Sequence, residues 1–426
     1  KTQKTCRSKL PTWLTTTISK PTPAACGKNA SRTSLGQENP HEPNMRNKIY
    51  FLLIIIPLLL TACQGNKQQA ADGKEGDTVH LKYSENISIV KFNDHTEVKL
   101  NDPWNKGKTL HTYILVDKSK KDGYDKAPDG ATVVGIPLSH SLIATSVHAE
   151  LAKKLGKENI LAGAFDVDYM NSTWIKQRLK ENKTTNCGNS TQPNIERIIA
   201  LLPDAIFISP MQNSGGYGKL ENLGLPIVEL ADYMETTALG RAEWVKFYGL
   251  LWGAEKQADS LFSNTEKEYM RLKDLAKKAK YSPSVMMDKV ENGVWYLPGG
   301  KSTISQTIYD ANAKYTYAAD KSSGSIQKSL ESVIDDNAGA DVWLLRYYKA
   351  DNSPLTLRGL ASESSSYTIL KAYKSGRVYG CNTAATSFFE DIPFEPHLLL
   401  RDFILAFHPE MATIIGEPKY FFKLER

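Results

Sequence analysis

The chain has 426 residues, of which 41% are hydrophobic, with 53 Lys+Arg against 47 Asp+Glu; it is long enough for two α/β domains, and basic enough to suggest nucleic acid or an anionic surface as partner. The excess is misplaced for that role: residues 1–62 hold nine Lys/Arg and two Asp/Glu, so the other 364 residues carry 44 positive and 45 negative side chains, a net of −1. A near-neutral body excludes electrostatic capture of a polyphosphate, and no nucleic-acid partner is expected.

Residues 1–44 are rich in Thr, Ser, Pro and Lys without a periodic apolar face, and are read as an over-called start that takes no part in the fold. At Met45 begins MRNKIYFLLIIIPLLLTAC, with Arg46 and Lys48 as a positive head, a twelve-residue apolar run over 49–60, and small residues before Cys63. A spanning helix needs about 20 apolar residues, so residues 45–62 read as a signal peptide. The LTAC ending resembles the lipobox of bacterial lipoproteins, whose cysteine is diacylated and becomes the new N-terminus. That resemblance implies lipidation at Cys63 and a cell-envelope location, facing the periplasm or the outside of the cytoplasmic membrane. Three cysteines remain from that point, Cys63, Cys187 and Cys381. The last two are either bridged or isolated thiols, and the paired spacings of zinc sites are absent.

Residues 63–78 are polar and form a tether. Residues 79–130 alternate in short apolar runs between Asn, Asp and Gly turns, which predicts a small antiparallel β segment. Over 131–235 strands alternate with helices: ATVVGIPL, a helix closed by Gly156, ILAGAF, a helix carrying Glu196, AIFIS and LPIVEL. Alternation of this kind predicts a parallel sheet covered on both faces. Residues 236–280 are helical apart from a break near Gly253. Their second half places Ala258, Leu261, Phe262, Thr265, Tyr269, Leu272 and Ala276 at steps of three and four. At 1.5 Å per residue this helix is about 40 Å long, a strut between lobes. Residues 281–426 repeat the α/β order. The predicted class is α/β, two Rossmann-like lobes joined by a long rigid helix, with a small N-terminal antiparallel β segment.

One unit occurs twice. NIERIIALLPDAIFIS from Asn194 and SLESVIDDNAGADVWLL from Ser329 each hold a capping residue, an aliphatic, a glutamate, a helix and an aspartate leading into an apolar strand. With PNIERIIALLPDAIFIS, GLPIVEL, the long helix, SLESV and SGRVYG, the chain resembles over 131–410 the periplasmic substrate-binding proteins of ABC importers for cobalamin, ferric siderophores and haem, the type with a helical backbone. The resemblance implies a monomer, no enzymatic activity, no resident cofactor, and one exposed glutamate per lobe that docks on a membrane subunit. Those glutamates are Glu196 and Glu331. Helix capping by a first-turn carboxylate is the competing explanation for each taken singly.

In such a fold the ligand lies between the lobes, at loops past the carboxyl ends of strands. First-lobe candidates are Ser139 and His140 after VVGIPL, Tyr169 after ILAGAF, and Tyr217 in NSGGYGK. Second-lobe candidates are Trp295 and Tyr296 before a Pro-Gly-Gly turn, Arg346, Tyr347 and Tyr348 after DVWLL, and Phe388 and Phe389. Aromatic rings and guanidinium suit a large iron complex, a ferric siderophore or haem; cobalamin is the alternative. NSGGYGK lacks the Walker spacing. An extracytoplasmic hydrolase is the remote alternative, with neither GxSxG nor HExxH present. A lipoprotein binding a surface polymer or a bare metal ion is another, and a bare metal needs more converging ligands than His140 offers. Replacing the acylated thiol, Cys63→Ser, is expected to release the protein from membranes; a processed form that stays on the membrane would exclude anchoring at this residue.

Overall fold

The computed structural model describes residues 76–170, 172–212 and 216–426. The lipobox and Cys63 lie outside them. Among the described residues no helix is long and apolar enough to cross a membrane.

Four strands, β1 (Asp77–Val79), β2 (Ile87–Lys91), β3 (Thr96–Asn101) and β4 (Thr109–Asp117), form an antiparallel meander, and β5 (Thr132–Ile136) adds to β4 in parallel. Thr132–Ile136 therefore completes the N-terminal sheet instead of opening the first lobe, because its pairing partner is β4 from Tyr113 to Asp117. Alternate residues Ile87, Ile89, Val98, Leu100, Tyr113 and Leu115 turn into the core of the first lobe, so the sheet is a wall of that lobe.

The first lobe proper contains β6 (Ser141–Ile143), α1 (Ser146–Lys154), β7 (Leu161–Ala164), α2 (Thr173–Lys180) and β8 (Thr185–Asn186). A small hairpin of β9 (Gly188–Asn189) and β10 (Gln192–Pro193) leads to α3 (Ile195–Leu201), β11 (Ala205–Ile208) and β12 (Ile227–Glu229). Its parallel sheet has the order β12-β11-β6-β7-β8, so strand order reverses between β6 and β11.

Next come α4 (Ala238–Glu243), α5 (Val245–Trp252) and α6 (Glu255–Ala276). Gly253, at φ +60°, ends α5 in the left-handed region that an L side chain resists. The 22 residues of α6 span about 33 Å. Ala258 and Phe262 belong to the first core, and Tyr269, Leu272 and Ala276 to the second, as the three-four spacing requires of a helix shared by two lobes.

The second lobe runs β13 (Ser284–Met287), β14 (Val290–Glu291), β15 (Val294–Pro298), α7 (Thr303–Asp310), β16 (Lys314–Tyr315), β17 (Ser325–Lys328), α8 (Leu330–Asn337) and β18 (Val342–Tyr347). It closes with α9 (Leu357–Glu363), α10 (Lys371–Ser375), β19 (Val378–Asn382), α11 (Phe388–Asp391), α12 (Pro396–Phe407), α13 (Ala412–Ile415) and β20 (Phe422–Lys423). The main sheet has the order β16-β13-β18-β19-β20, antiparallel only at β20, and its order reverses between β13 and β18. A side sheet pairs β14, β15 and β17.

The aspartate of each repeated unit has the same task. Asp204 accepts from the Ser139 amide (2.6 Å), the Ser141 hydroxyl (3.0 Å) and Lys118 (3.1 Å), and its own amide donates to the His140 carbonyl. Asp341 accepts from the Ser284 amide (2.8 Å), the Ser284 hydroxyl (2.9 Å), Tyr281 (2.7 Å) and Lys371 (2.6 Å), and its amide donates to the Ser284 carbonyl. Each carboxylate ties the amino ends of two parallel strands, at the edge opposite the crevice. Burial opposes the charge on Asp341, but Lys371, Tyr281 and Ser284 outweigh it and hold the pKa well below the carboxylate range. A depressed folded pKa contributes stability above the unfolded value, near 4, and loses it as pH falls. We predict that Asp341→Asn lowers stability at pH 7 by about 1–2 kcal/mol, measured by urea denaturation, and that the gap to wild type narrows as pH falls from about 5 toward 2. A gap independent of pH would refute the role of the ionised carboxylate.

Candidate ligand cleft between the lobes

The helices that follow the carboxyl ends of β6 and β19 meet across the seam, which brings the carboxyl edges of the two main sheets toward each other. Helix α1 starts just past β6, and α11 follows the loop after β19; across the seam the Ser146 hydroxyl donates to the Glu390 carboxylate at 2.8 Å. Lys154 of α1 pairs with Asp391 at 2.9 Å and with Glu395. Burial alone would raise the Asp391 pKa, but Lys154 and Lys419 override it and hold the carboxyl at about 2. Burial raises the pKa of Glu390. Phe394 crosses into the first core, its ring 5.6 Å from Tyr248 and its carbonyl accepting from Thr265 of α6.

Arg346 stands at the carboxyl end of β18, beside the reversal of strand order where open α/β sheets form their crevice. Its Nε and Nη2 donate to Asp288 at 2.8 and 2.5 Å. Asp288 directly follows β13 and holds a left-handed backbone at φ +57°, which turns its carboxylate toward the neighbouring strand end. Arg346 remains 28% exposed against 10% for Asp288. Burial opposes its charge, yet the Asp288 carboxylate more than compensates and its pKa is raised. Tyr348, the next residue but one, is exposed. On the other lobe Tyr169 is exposed in the turn past β7. Arg346 and Tyr348 thus lie at the carboxyl edge of the second sheet, and Tyr169 at the carboxyl edge of the first.

Other candidates lie elsewhere. Ser139 and His140 precede β6, so they sit at the amino edge, tied to Asp204, away from the cleft. Trp295 is fully buried, donating from its indole to the Met287 carbonyl at 2.9 Å beside Trp343 and Tyr367. Phe388 is also core, packed edge-on to Tyr420 and Phe421. Both are corrections: these rings offer no surface to a ligand. Phe389 is half-buried against Phe388, and Tyr296 lies half-buried in the side sheet. Tyr347 packs by Gly380, and its hydroxyl accepts from the Leu355 amide. Tyr217 donates to Glu229 at 2.5 Å and so fastens the loop end to β12. Cys187 and Cys381 are free thiols buried in separate cores, which settles the open alternative against a bridge; burial pushes their pKa values up to about 11 and about 12.

Glu196 and Glu331 occupy the same position, second in α3 and α8, and both are exposed. Asn194 and Ser329 cap them, accepting from the amides of Arg197 (3.0 Å) and Ser332 (3.2 Å).

Sequence reasoning missed Asp288, which directly follows the apolar run SVMM, and the seam residues Ser146, Glu390 and Phe394, which no local pattern distinguishes. A cavity of about 340 Å³ on the N-terminal sheet, lined by Phe92, Asp94, His95, Asp117, Pro137 and Glu255 among others, shares none of the facing-edge residues.

A family model described as periplasmic binding protein matches residues 143–385. An uncharacterized lipoprotein of Methanocaldococcus jannaschii is 23% identical over 408 residues, covering 88% of this chain and 95% of the relative. Among solved structures, the molybdate periplasmic binding protein MolA of Haemophilus influenzae superposes with a TM-score of 0.54 at 15% identity, covering 66% of this chain and 90% of its own. The periplasmic heme-binding protein RhuT of Roseiflexus sp. RS-1 superposes with a TM-score of 0.51 at 18% identity, covering 64% and 98%. With more than half of its length matched, two α/β lobes on one helix and facing strand edges, the chain belongs to the periplasmic binding protein family and is a binding component of transport, not an enzyme.

Proposed function

We propose that the protein is a lipid-anchored substrate-binding protein of an ABC importer, held at Cys63, that captures a ferric siderophore or haem between its lobes. The observation that carries this reading is the pair of facing carboxyl edges, with Arg346 held at the strand reversal of one and exposed phenols on both. Phenolate oxygen suits ferric iron, and guanidinium meets the anionic oxygens of its chelators. Cobalamin is the second reading. It loses support because Trp295 and Phe388, the rings suited to a corrin face, are spent on the core. Relatives in this fold are described as binding ligands as unlike as molybdate and heme, so the choice rests on the residues of this cleft.

Docking on two membrane subunits through Glu196 and Glu331 is the role we assign them, supported by their matched exposure, one per lobe. Exposed carboxylates of this kind contribute little to stability. Glu196→Ala and Glu331→Ala are therefore expected to leave the melting temperature and ligand affinity of the isolated protein nearly unchanged while impairing uptake in cells. Loss of ligand binding in either purified variant would remove the docking assignment. For the ligand, protein purified without refolding is expected to carry or acquire a visible absorbance band with haem or a ferric siderophore. Binding of cobalamin alone, unaffected by Arg346→Ala, would replace the iron-complex reading with the second one.

A further inference from the structure

One buried carboxylate of the first lobe keeps an oxygen without a partner. Glu229 ends β12 and is 9% exposed; its Oε1 accepts from the Tyr217 hydroxyl at 2.5 Å, while Oε2 is buried and accepts no hydrogen bond among the described residues. Facing Oε2 at 3.7 Å is Nδ1 of His111, on β4. The other nitrogen of that ring, Nε2, lies 2.8 Å from the Thr132 hydroxyl on β5, and Nδ1 makes no hydrogen bond among the described residues. Each side chain thus has its outer atom engaged and its inner atom turned, unpartnered, toward the other. The remaining buried carboxylates are answered differently: Asp232 by Arg241, Asp288 by Arg346, Asp391 by Lys154, and Glu243 by the amides of Lys82, Tyr83 and Ser84. No Lys or Arg among the described residues pairs with Glu229.

The backbones hold these two side chains in register. Two residues along β4 from His111, the Tyr113 hydroxyl accepts from the Glu229 amide at 2.8 Å and donates to the Ile227 carbonyl at 3.1 Å, which fastens the N-terminal sheet to the free edge of β12. The His111 ring lies against that of Tyr113, with centroids 4.5 Å apart. A separation of 3.7 Å between Nδ1 and Oε2 is too long for a direct hydrogen bond and suits a single atom that bonds to both. At metal–ligand bonds of about 2.0–2.1 Å and a tetrahedral angle, two ligand atoms lie about 3.3 Å apart, a distance that a small side-chain rotation supplies. The His111 side chain is 27% exposed, so an ion can reach Nδ1 from solvent.

We propose that His111 and Glu229 form a site for a late first-row divalent metal ion of the Zn²⁺ type, at the junction between the N-terminal sheet and the first lobe. Imidazole nitrogen and carboxylate oxygen are donors that such ions take. Thr132 and Tyr217 are positioning residues. With the metal on Nδ1 the His111 ring keeps its proton on Nε2, where the Thr132 hydroxyl accepts it, and the Tyr217 hydroxyl orients the Glu229 carboxylate. Water from the exposed side of His111 completes the coordination. The ion supplies the positive charge that no Lys or Arg gives Glu229. Burial by itself lowers the pKa of His111, which leaves the imidazole neutral and able to ligate, and raises that of the Glu229 carboxyl, which a nearby cation reverses. An ion held in this way cross-links β4 to β12, and because the unfolded chain does not bring the two residues together, its binding adds to the stability of the fold. The inference does not rest on the ligand assigned to the cleft.

The test uses the full chain without an affinity tag, stripped with a chelator, then titrated with Zn²⁺ by calorimetry and with Co²⁺ by visible absorbance. Wild type is expected to bind a single equivalent, to develop a visible Co²⁺ band, and to gain at least about 2 °C in melting temperature with saturating Zn²⁺. Glu229→Gln and His111→Asn are each expected to weaken Zn²⁺ binding at least about tenfold and to abolish the melting shift, and Thr132→Val, which removes only the acceptor on Nε2, to weaken it about tenfold. His140→Asn, which removes an exposed imidazole at the amino edge, is expected to leave the affinity unchanged. Melts without metal report whether each variant folds. Diethyl pyrocarbonate labelling of wild type, read by peptide mass, gives the same answer without substitution: Zn²⁺ should protect His111. Failure of wild type to bind either ion, binding that survives in both Glu229→Gln and His111→Asn and so marks an adventitious ion only, or labelling of His111 unaffected by Zn²⁺ would overturn the inference.

Discussion

Helix α6 is the constraint on which the two-lobed arrangement depends. It places Ala258 and Phe262 in one hydrophobic core and Tyr269, Leu272 and Ala276 in the other. A helix buried at both ends cannot bend in its middle without breaking backbone hydrogen bonds and exposing one of the cores. Its central Thr265 adds a hydrogen bond to the Phe394 carbonyl, on the segment where the second lobe reaches into the first. Truncating such a fully buried phenylalanine typically costs about 3–5 kcal/mol, a scale large against ordinary domain stability. The spacing of the facing strand edges is therefore set by packing, and a ligand meets a cleft whose walls already stand in place.

Buried carboxylates finish the frame by holding backbone that no sheet or helix would satisfy. Glu243 accepts the amides of Lys82, Tyr83 and Ser84, and Glu235 those of Glu85 and Asn86 together with the Trp244 indole. These bonds fasten the N-terminal sheet to the helices between the lobes. Asp402 does the same for Lys419, Tyr420 and Phe421, which brings the C-terminal strand onto the second sheet. Asp204 and Asp341 tie strand ends. In each case a carboxylate with several lone pairs collects donors that would otherwise be buried without partners.

This use of acidic side chains explains why the cleft was only partly legible in the sequence. The long helix, the two alternating α/β sets and the twin glutamates could be read directly, because each is a local pattern: apolar spacing, strand-helix alternation, and a cap followed by a carboxylate. His140 was misplaced because ATVVGIPL has the composition of a first-lobe strand, while its pairing with β4 is a contact across sequence. Trp295 and Phe388 read as ligand contacts because an aromatic near a loop looks the same in sequence whether its ring turns inward or outward.

What the sequence by itself determined is the class of object: two α/β lobes, one helix long enough to serve both, and one glutamate at the head of a helix in each lobe. These follow from periodicity and capping, which act over a few residues. Tertiary structure alone decided which strand ends come together, which aromatics were consumed by the cores, and which arginine was fixed by a buried aspartate. Those outcomes depend on residues as far apart as Asp288 and Arg346, or Ser146 and Glu390, being brought within hydrogen-bond reach. A hydrogen bond forms only within a few tenths of an ångström of its ideal length, and no property of either residue's own neighbourhood in the chain records that meeting.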